Sequence, residues 1–399
     1  MQRLRLLTAG ESHGRAISVI LSGIPAGLQI PRGRIAEELR RRRRLYGRSS
    51  RMKLETDAVA CEGGLRGSVT TGNPLAFRIP NAEAEKWSRL LGPWEGSRDG
   101  PLARPRPGHA DFAGAMKFAS HEGDGLKPAD IQDVLERASA RETAGRVVAG
   151  AVCKELLAAV NVSVASFVYR IGKAGLPRRK LLRLLEAKEL QELPVAQIEK
   201  SPLRMPDGKV ERAAKAAVDD ARKRGVTLGG GFAAIAFGLL PGLGSFSQWD
   251  ERLDGRIAQA LASIPSVKAV SIGAARWLEE ADGSAYHDEL VRDGEAFTHA
   301  TNRAGGITGG LTNGMPVVAS GAVKPIPTQA KPLRTVDLIS GKPAKAPRQR
   351  SDVTAVPAAS VIAESMLALV LADAMLAEFG GSHIDDVAAR WQERKKRIG

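Results

Sequence analysis

The 399-residue chain predicts an α+β fold, on three observations. Strand-like and helix-like stretches mix without the strict alternation of a doubly wound sheet. No composition break of linker type divides the chain, so one large domain over 1–399 is expected. No repeat recurs at a fixed period. Hydrophobic residues make up 43% and aromatics only 4%, so aliphatic and small side chains must fill the core.

Residues 3–8 and 16–22 read as strands on either side of a Gly-containing turn. Residues 31–46 read as a helix stopped by Gly47. Residues 54–80 read as strands and turns, punctuated by Gly63–Gly64 and Gly72–Asn73–Pro74. Four prolines make 91–108 a loop. A helix is expected from about 131 to 160, either continuous or restarting at Ser139, where Ser139 and Glu142 have capping-box spacing. Its Ala144, Gly145, Ala149, Gly150 and Ala151 offer a smooth face for close packing. Residues 162–172 alternate as a strand, 177–199 are charged and helical, and 211–224 form an amphipathic helix closed by Gly225. A strand over 226–240, a helix over 249–263 and a strand over 267–273 follow. Residues 301–314 are a Gly-rich loop and 316–323 a strand. Residues 357–379 are a helix, with Pro357 in its first turn and Gly380–Gly381 at its end. The charged tail, 390–399, is expected to fray.

The chain carries 59 basic and 44 acidic residues, a formal charge of +15. Such a field attracts anions: nucleic acid, an anionic membrane or a small polyanionic substrate. Cys61 and Cys153 make neither a disulfide framework nor a zinc pattern, and both read as buried residues of a reduced, cytoplasmic protein. The opening lacks the apolar region of a signal peptide. The run 361–376 is interrupted by Glu364 and Asp373, so no membrane span is expected.

Several stretches could carry chemistry. GESHG at 10–14 sets Glu11, Ser12 and His13 between two glycines. Alone it reads as a structural turn; in company it reads as part of a site, with its glycines giving clearance to a ligand. Arg40–Arg44 go round the whole helix circumference. With Ile35 and Leu39 on the apolar stripe, Arg42 falls at i+7 and points where the core should be, unless an anion waits there. The bland alternative is a solvated basic helix or a nucleic-acid patch. In 104–111, alternating prolines stiffen a loop carrying Arg106, His109 and Asp111. Arg137 and Arg141 flank Ser139 and are expected to converge on one anion, whether the helix restarts there or runs through. The glycines of 301–310 and the Lys324–Thr328 loop suit a phosphate or a flat ring. Arg350 and Asp352 precede the last long apolar helix. Neither a P-loop nor a dinucleotide fingerprint is present, and no histidine pairing supports a metal site.

In order, GESHG, RRRRLYGRSSRM (41–52), RPGHAD (106–111), ERASARETA (136–144), GLGSF (242–246), TNRAGGITGG (301–310), KPIPT (324–328) and RSD (350–352) closely resemble the chorismate synthase family. The resemblance spans nearly the whole chain. It implies a β-α-β sandwich with helices between the sheets, a homotetramer, and conversion of 5-enolpyruvylshikimate 3-phosphate to chorismate and phosphate with reduced FMN. It implies that His13 protonates the departing phosphate, that His109 stabilises or protonates reduced flavin, and that Asp352 assists ring deprotonation. Arg48, Arg51, Arg106, Arg141 and Arg350 would surround substrate or flavin charges, with Ser12 and Ser139 adding hydroxyl contacts. Flavin contacts would fall on Arg137, Ala138, Ser139, Pro265, Ser266, Gly309, Lys324, Pro325, Ile326, Pro327, Thr328 and Arg350. NADPH, a candidate reductant, would meet Arg42 and Arg48.

The chain departs from the family pattern at 266–271, at Phe112 and Phe118 where Tyr is common, and at Asp130–Ile131–Gln132, where the pattern has Asp-x-Arg. None of these positions is one of the proposed catalytic residues. The competing readings are a basic nucleic-acid-binding protein, which should carry aromatics for stacking, and a flavin-binding scaffold without catalysis. The scarcity of aromatics disfavours the first. Neither nucleic acid nor membrane is an expected partner.

Overall fold

The computed structural model describes all residues except 1–2, 44–45, 48–57, 123–124, 187, 189–191, 295, 349–351 and 399. Two antiparallel sheets enclose a pair of helices. The first sheet orders its strands Arg5–Ala9, Ala16–Ser22, Leu75–Pro80 and Ala60–Gly63. Its register pairs Leu7 with Ile20, and Val19 with Phe77. Ile17, Val19 and Leu21 alternate inward, as strand periodicity requires.

The second sheet orders Ala174–Gly175, Ser163–Ile171, Gly230–Phe237, Val317–Val323 and Val267–Ile272. Its middle strand reads as an unbroken apolar run because both faces are covered. Phe232, Ala234 and Ala236 join the main core, while Ala233, Ile235 and Phe237 join a second cluster with Leu181, Leu184 and Ile198.

Between the sheets lie the helices Thr143–Ala158 and Val356–Phe379, packed on each other. The first rests on the first sheet through Gly145, where a Cβ would press on Thr8 and Val19. The second rests on the strands Ser163–Ile171 and Gly230–Phe237. Val356–Phe379 is apolar all round, and such a helix must be buried. It is the one described helix long and apolar enough to cross a membrane, and 94% of its most apolar window lies inside the protein. The helix Arg32–Arg43 packs on both. The sandwich with helices between sheets is the fold the family resemblance implied.

Most elements fall where the sequence puts them. The helix Gly208–Arg224 starts on an Asp207 cap and stops at Gly225 with φ +72°. The expected 131–160 helix does restart: Ile131–Ala138 ends at Ser139, a short 3-10 turn follows, and a new helix begins at Thr143. Ser139 caps the restart by accepting from the Arg141 N–H, but Glu142 turns to Arg146, so an N-cap forms without the reciprocal box.

Other readings need correction. The charged tail, expected above to fray, is helical through Ile398. It is the helix Ile384–Ile398, anchored by Trp391, 1% exposed, whose ring meets Phe379. Among the described residues of 177–199 lie two short helices, Arg178–Leu185 and Val195–Lys200, the second beginning just after Pro194. The helix Ala84–Leu91 was not foreseen. Cys61 is exposed, since its strand is a sheet edge. Cys153 is buried, and that burial, then Asp373, push its thiol up.

Candidate active site

The N-termini of both central helices open on one cavity of about 410 Å³, lined by Ala140 and Thr143 on one side and by Ala355, Ala358 and Ala359 on the other. A helix N-terminus carries roughly half a positive charge. Two of them, with the arginine-rich C-terminal end of Arg32–Arg43 alongside, make the cavity a place for anions.

His13 reaches the cavity from the GESHG turn. Its Nδ1 lies 2.8 Å from the Glu136 carboxylate, and its backbone N–H donates to the same carboxylate at 2.7 Å. The Ser12 N–H donates to the Glu136 carbonyl at 3.1 Å, and the Ser139 hydroxyl to that of Ser12 at 3.0 Å. Trp87 lies against the imidazole, ring centroids 4.4 Å apart. Gln132, standing where the family pattern has Arg, donates to Glu136 at 2.6 Å.

The flanking glycines do not clear space for a ligand, as expected above. A Cβ on Gly10, at φ +109°, would overlap the Ala16 carbonyl oxygen of the next strand, and one on Gly14 would press on Glu11. They permit the turn itself.

His109 enters from the Pro-rich loop. Its Nδ1 pairs with Asp111, which also accepts from the Arg106 backbone N–H at 2.9 Å and from Arg106 Nε at 2.8 Å. Burial pushes the Asp111 carboxyl up, but the bonds from His109 and Arg106 outweigh it and hold it well below the usual carboxylate range. Arg106 Nη1 donates to the Thr328 hydroxyl, and Lys324 Nζ donates to the Gly108 carbonyl, tying this loop to KPIPT.

Arg42 is buried, as its helical spacing demands. Its Nε donates to Thr143 Oγ1 at 3.1 Å and Nη2 to the Ala140 carbonyl at 3.0 Å, and it lines the cavity. Arg41 instead reaches Glu38, Glu199 and Glu364, and Arg40 pairs with Glu37. Each of these three arginines of the run is engaged with another residue of the protein, although the Arg40 side chain stays partly exposed.

The cavity brings together Ser12, His13, Arg42, Arg106, His109, Ala138, Ser139, Pro265, Ser266, Lys324, Ile326, Pro327, Thr328 and Asp352. Ser266 holds a left-handed backbone, φ +72°, at its rim. Pro325 belongs to the same loop but does not line the cavity. Gly309 lies elsewhere, on a hairpin where its carbonyl accepts from Arg252. Arg48, Arg51 and Arg350 lie outside the described residues. Arg137 and Arg141 do not line this cavity. Arg137 donates to the Thr8 and Gly10 carbonyls, and Arg141 to Asn81, which in turn holds the Gly14 carbonyl. They brace the two ends of the GESHG turn. Glu136, Gln132 and Trp87 were missed as site residues.

The family model described as chorismate synthase matches residues 4–376. The chain belongs to the chorismate synthase family. Chorismate synthases of Moorella thermoacetica and Aquifex aeolicus are 46% and 43% identical to it over 390 and 397 residues. These matches cover 97% and 98% of this chain, and 97% and 98% of the relatives. A solved crystal structure of chorismate synthase is 35% identical, has a TM-score of 0.79, and the match covers 100% of this chain and 99% of that one. The expected fold, family and enzyme class, a lyase of the chorismate synthase type, are thus borne out.

Proposed function

We propose that this chain performs the anti 1,4-elimination of phosphate from 5-enolpyruvylshikimate 3-phosphate, giving chorismate, as the last step of the shikimate pathway. The observation that carries this reading is a pair of histidines facing one cavity, each with a buried carboxylate at Nδ1, at the N-termini of two helices. The substrate carries two carboxylates and a phosphate, which suit that field and the Arg42 and Arg106 guanidiniums.

The residues fit reduced FMN. Ala138, Ile264, Pro265, Ile326 and Pro327 offer an apolar wall for a flat ring, and Lys324 and Thr328 offer donors beside it. Transient electron donation, with no net redox change, is the chemistry reduced flavin supplies there. Protonated His13 delivers a proton from Nε2 as the carbon–oxygen bond to phosphate breaks. His109, held by Asp111, presents its proton to the flavin, and the Asp352 carboxylate assists loss of the ring hydrogen. On this reading Arg42 would meet the phosphate of NADPH, a candidate reductant. The same reading makes the chain a single-domain cytoplasmic homotetramer whose ligands are small anions.

Anaerobic incubation with reduced FMN and substrate should release phosphate and chorismate. His13→Ala and His109→Ala should each lower kcat by roughly 10²–10⁴-fold, as for general acid–base groups. Flavin binding without phosphate release would reduce the protein to a flavin scaffold. Near-normal rates in both variants would remove the acid roles.

A further inference from the structure

We propose that Glu136 is the positioning residue of His13, and that it holds the imidazole in the one orientation usable before and after proton transfer. The proposal rests on the reading of His13 as the acid at the phosphate end.

Glu136 is 2% exposed and sits 123 residues from His13 in sequence. Both of its carboxylate oxygens are committed to the GESHG turn: Oε2 to the His13 N–H, and Oε1 to the ring Nδ1. With Nδ1 turned to the carboxylate, Nε2 is the nitrogen left for the cavity that His13 lines. An ionised carboxylate can only accept, so it fixes Nδ1 as a donor. The protonated ring then donates from Nδ1 to Glu136 and from Nε2 to the leaving group. Once the Nε2 proton has gone, the neutral ring is already the Nδ1–H tautomer and needs no flip.

Two neighbours keep Glu136 in this role. Gln132, one helical turn away, donates to Oε1 as a neutral amide, so it anchors the carboxylate without neutralising it. Trp87 lies against the imidazole, ring centroids 4.4 Å apart, while the carboxylate is what distinguishes Nδ1 from Nε2.

The test uses the full chain with reduced FMN and substrate, and the variants Glu136→Gln, Glu136→Asp and His13→Ala. In Glu136→Gln the amide can point its NH₂ at Nδ1 and impose the other tautomer, as Asn does when it replaces a histidine-orienting Asp. We expect kcat to fall by about 10²-fold or more, within the His13→Ala loss, with KM changed less than about threefold. Glu136→Asp should restore part of kcat. In histidine-labelled protein, the ¹⁵N signals of neutral His13 should move from Nδ1–H toward Nε2–H in Glu136→Gln.

The decisive readout is the double variant. If Glu136 acts through His13, Glu136→Gln should cost almost nothing further in a His13→Ala background. An equal loss in both backgrounds would mean a purely structural role and would overturn the proposal. So would an unchanged tautomer with a normal rate in Glu136→Gln. Should His13→Ala itself turn over normally, the acid role fails instead, while the tautomer measurement still decides what Glu136 does to the ring. If Glu136→Gln does not fold, Glu136→Asp and its combination with His13→Ala supply the same comparison.

Discussion

Asp111 shows how a single residue joins site to stability. Its carboxylate is 1% exposed and held by His109 and by Arg106, through both backbone and guanidinium. Its folded value lies below the ordinary 3.8, so the unfolded chain binds more protons between the two values. The stability it contributes is therefore complete above about pH 4 and is lost as pH falls through the depressed folded value. Urea midpoints of wild type and Asp111→Asn should differ most at neutral pH and converge as pH drops below 4; a constant gap would show that the charge is not the cause. At this scale the sequence was informative where spacing carried the message. Arg42 stands at i+7 from Ile35, and its burial follows from that alone. Glu136 gave no such sign, because its partner is brought to it by tertiary packing. Gly10 was visible, but its reason was not: only the register of Ala16–Ser22 against Arg5–Ala9 shows which carbonyl a side chain would strike.

Among the elements, Val356–Phe379 carries the most consequential exception to its own composition. Glu364, fully buried within it, accepts from Arg41, Lys154, Arg204 and Ser166. Burial pushes this carboxyl up, but Arg41, Lys154 and Arg204 outweigh that and hold it well below the usual range. The carboxylate so fastens Arg32–Arg43 to the central helix one residue before Arg42. Removing one member of a buried pair leaves uncompensated charge. Glu364→Gln should cost about 3–5 kcal/mol, read as a lower urea midpoint, and should weaken binding of anionic ligands at Arg42. Full stability would show the cations to be satisfied without it. Element positions were legible where periodicity and caps agreed, as in Gly208–Arg224. They were missed where tertiary contact decides. Ala84–Leu91 presents Trp87 to His13, and Ile384–Ile398 is held by Ile384, Val387 and Trp391, buried beneath charged residues that read as a fraying tail.

At the level of the whole molecule, the candidate site is built where the N-termini of two helices line one cavity. The small residues of Thr143–Ala158 announced close packing, but the order of the sheets and the shared direction of the helix dipoles became visible only in the assembled fold. Gly150 sits at a close approach of the two helices: an added Cβ would overlap that of Ser365 and lie 2.5 Å from its Cα. Two effects of Gly150→Ala compete. Helix propensity favours Ala by about 1 kcal/mol, while overpacking a filled core costs about 1–3 kcal/mol. The overlap includes backbone of a fully buried neighbour, which cannot swing aside, so the second effect should win. Gly33, near the start of Arg32–Arg43, has open space where its Cβ would go. The same substitution should therefore shift Tm in opposite directions, down at Gly150 and slightly up at Gly33. Spreading the central helices also displaces two cavity-facing N-termini, so Gly150→Ala should lower kcat/KM while Gly33→Ala leaves it unchanged. Ser365→Gly removes the Cβ overlap but not the contact with Cα, and should restore only part of the lost Tm. Full restoration would mean that side-chain crowding alone, and not the spacing of the two helix backbones, limits the approach.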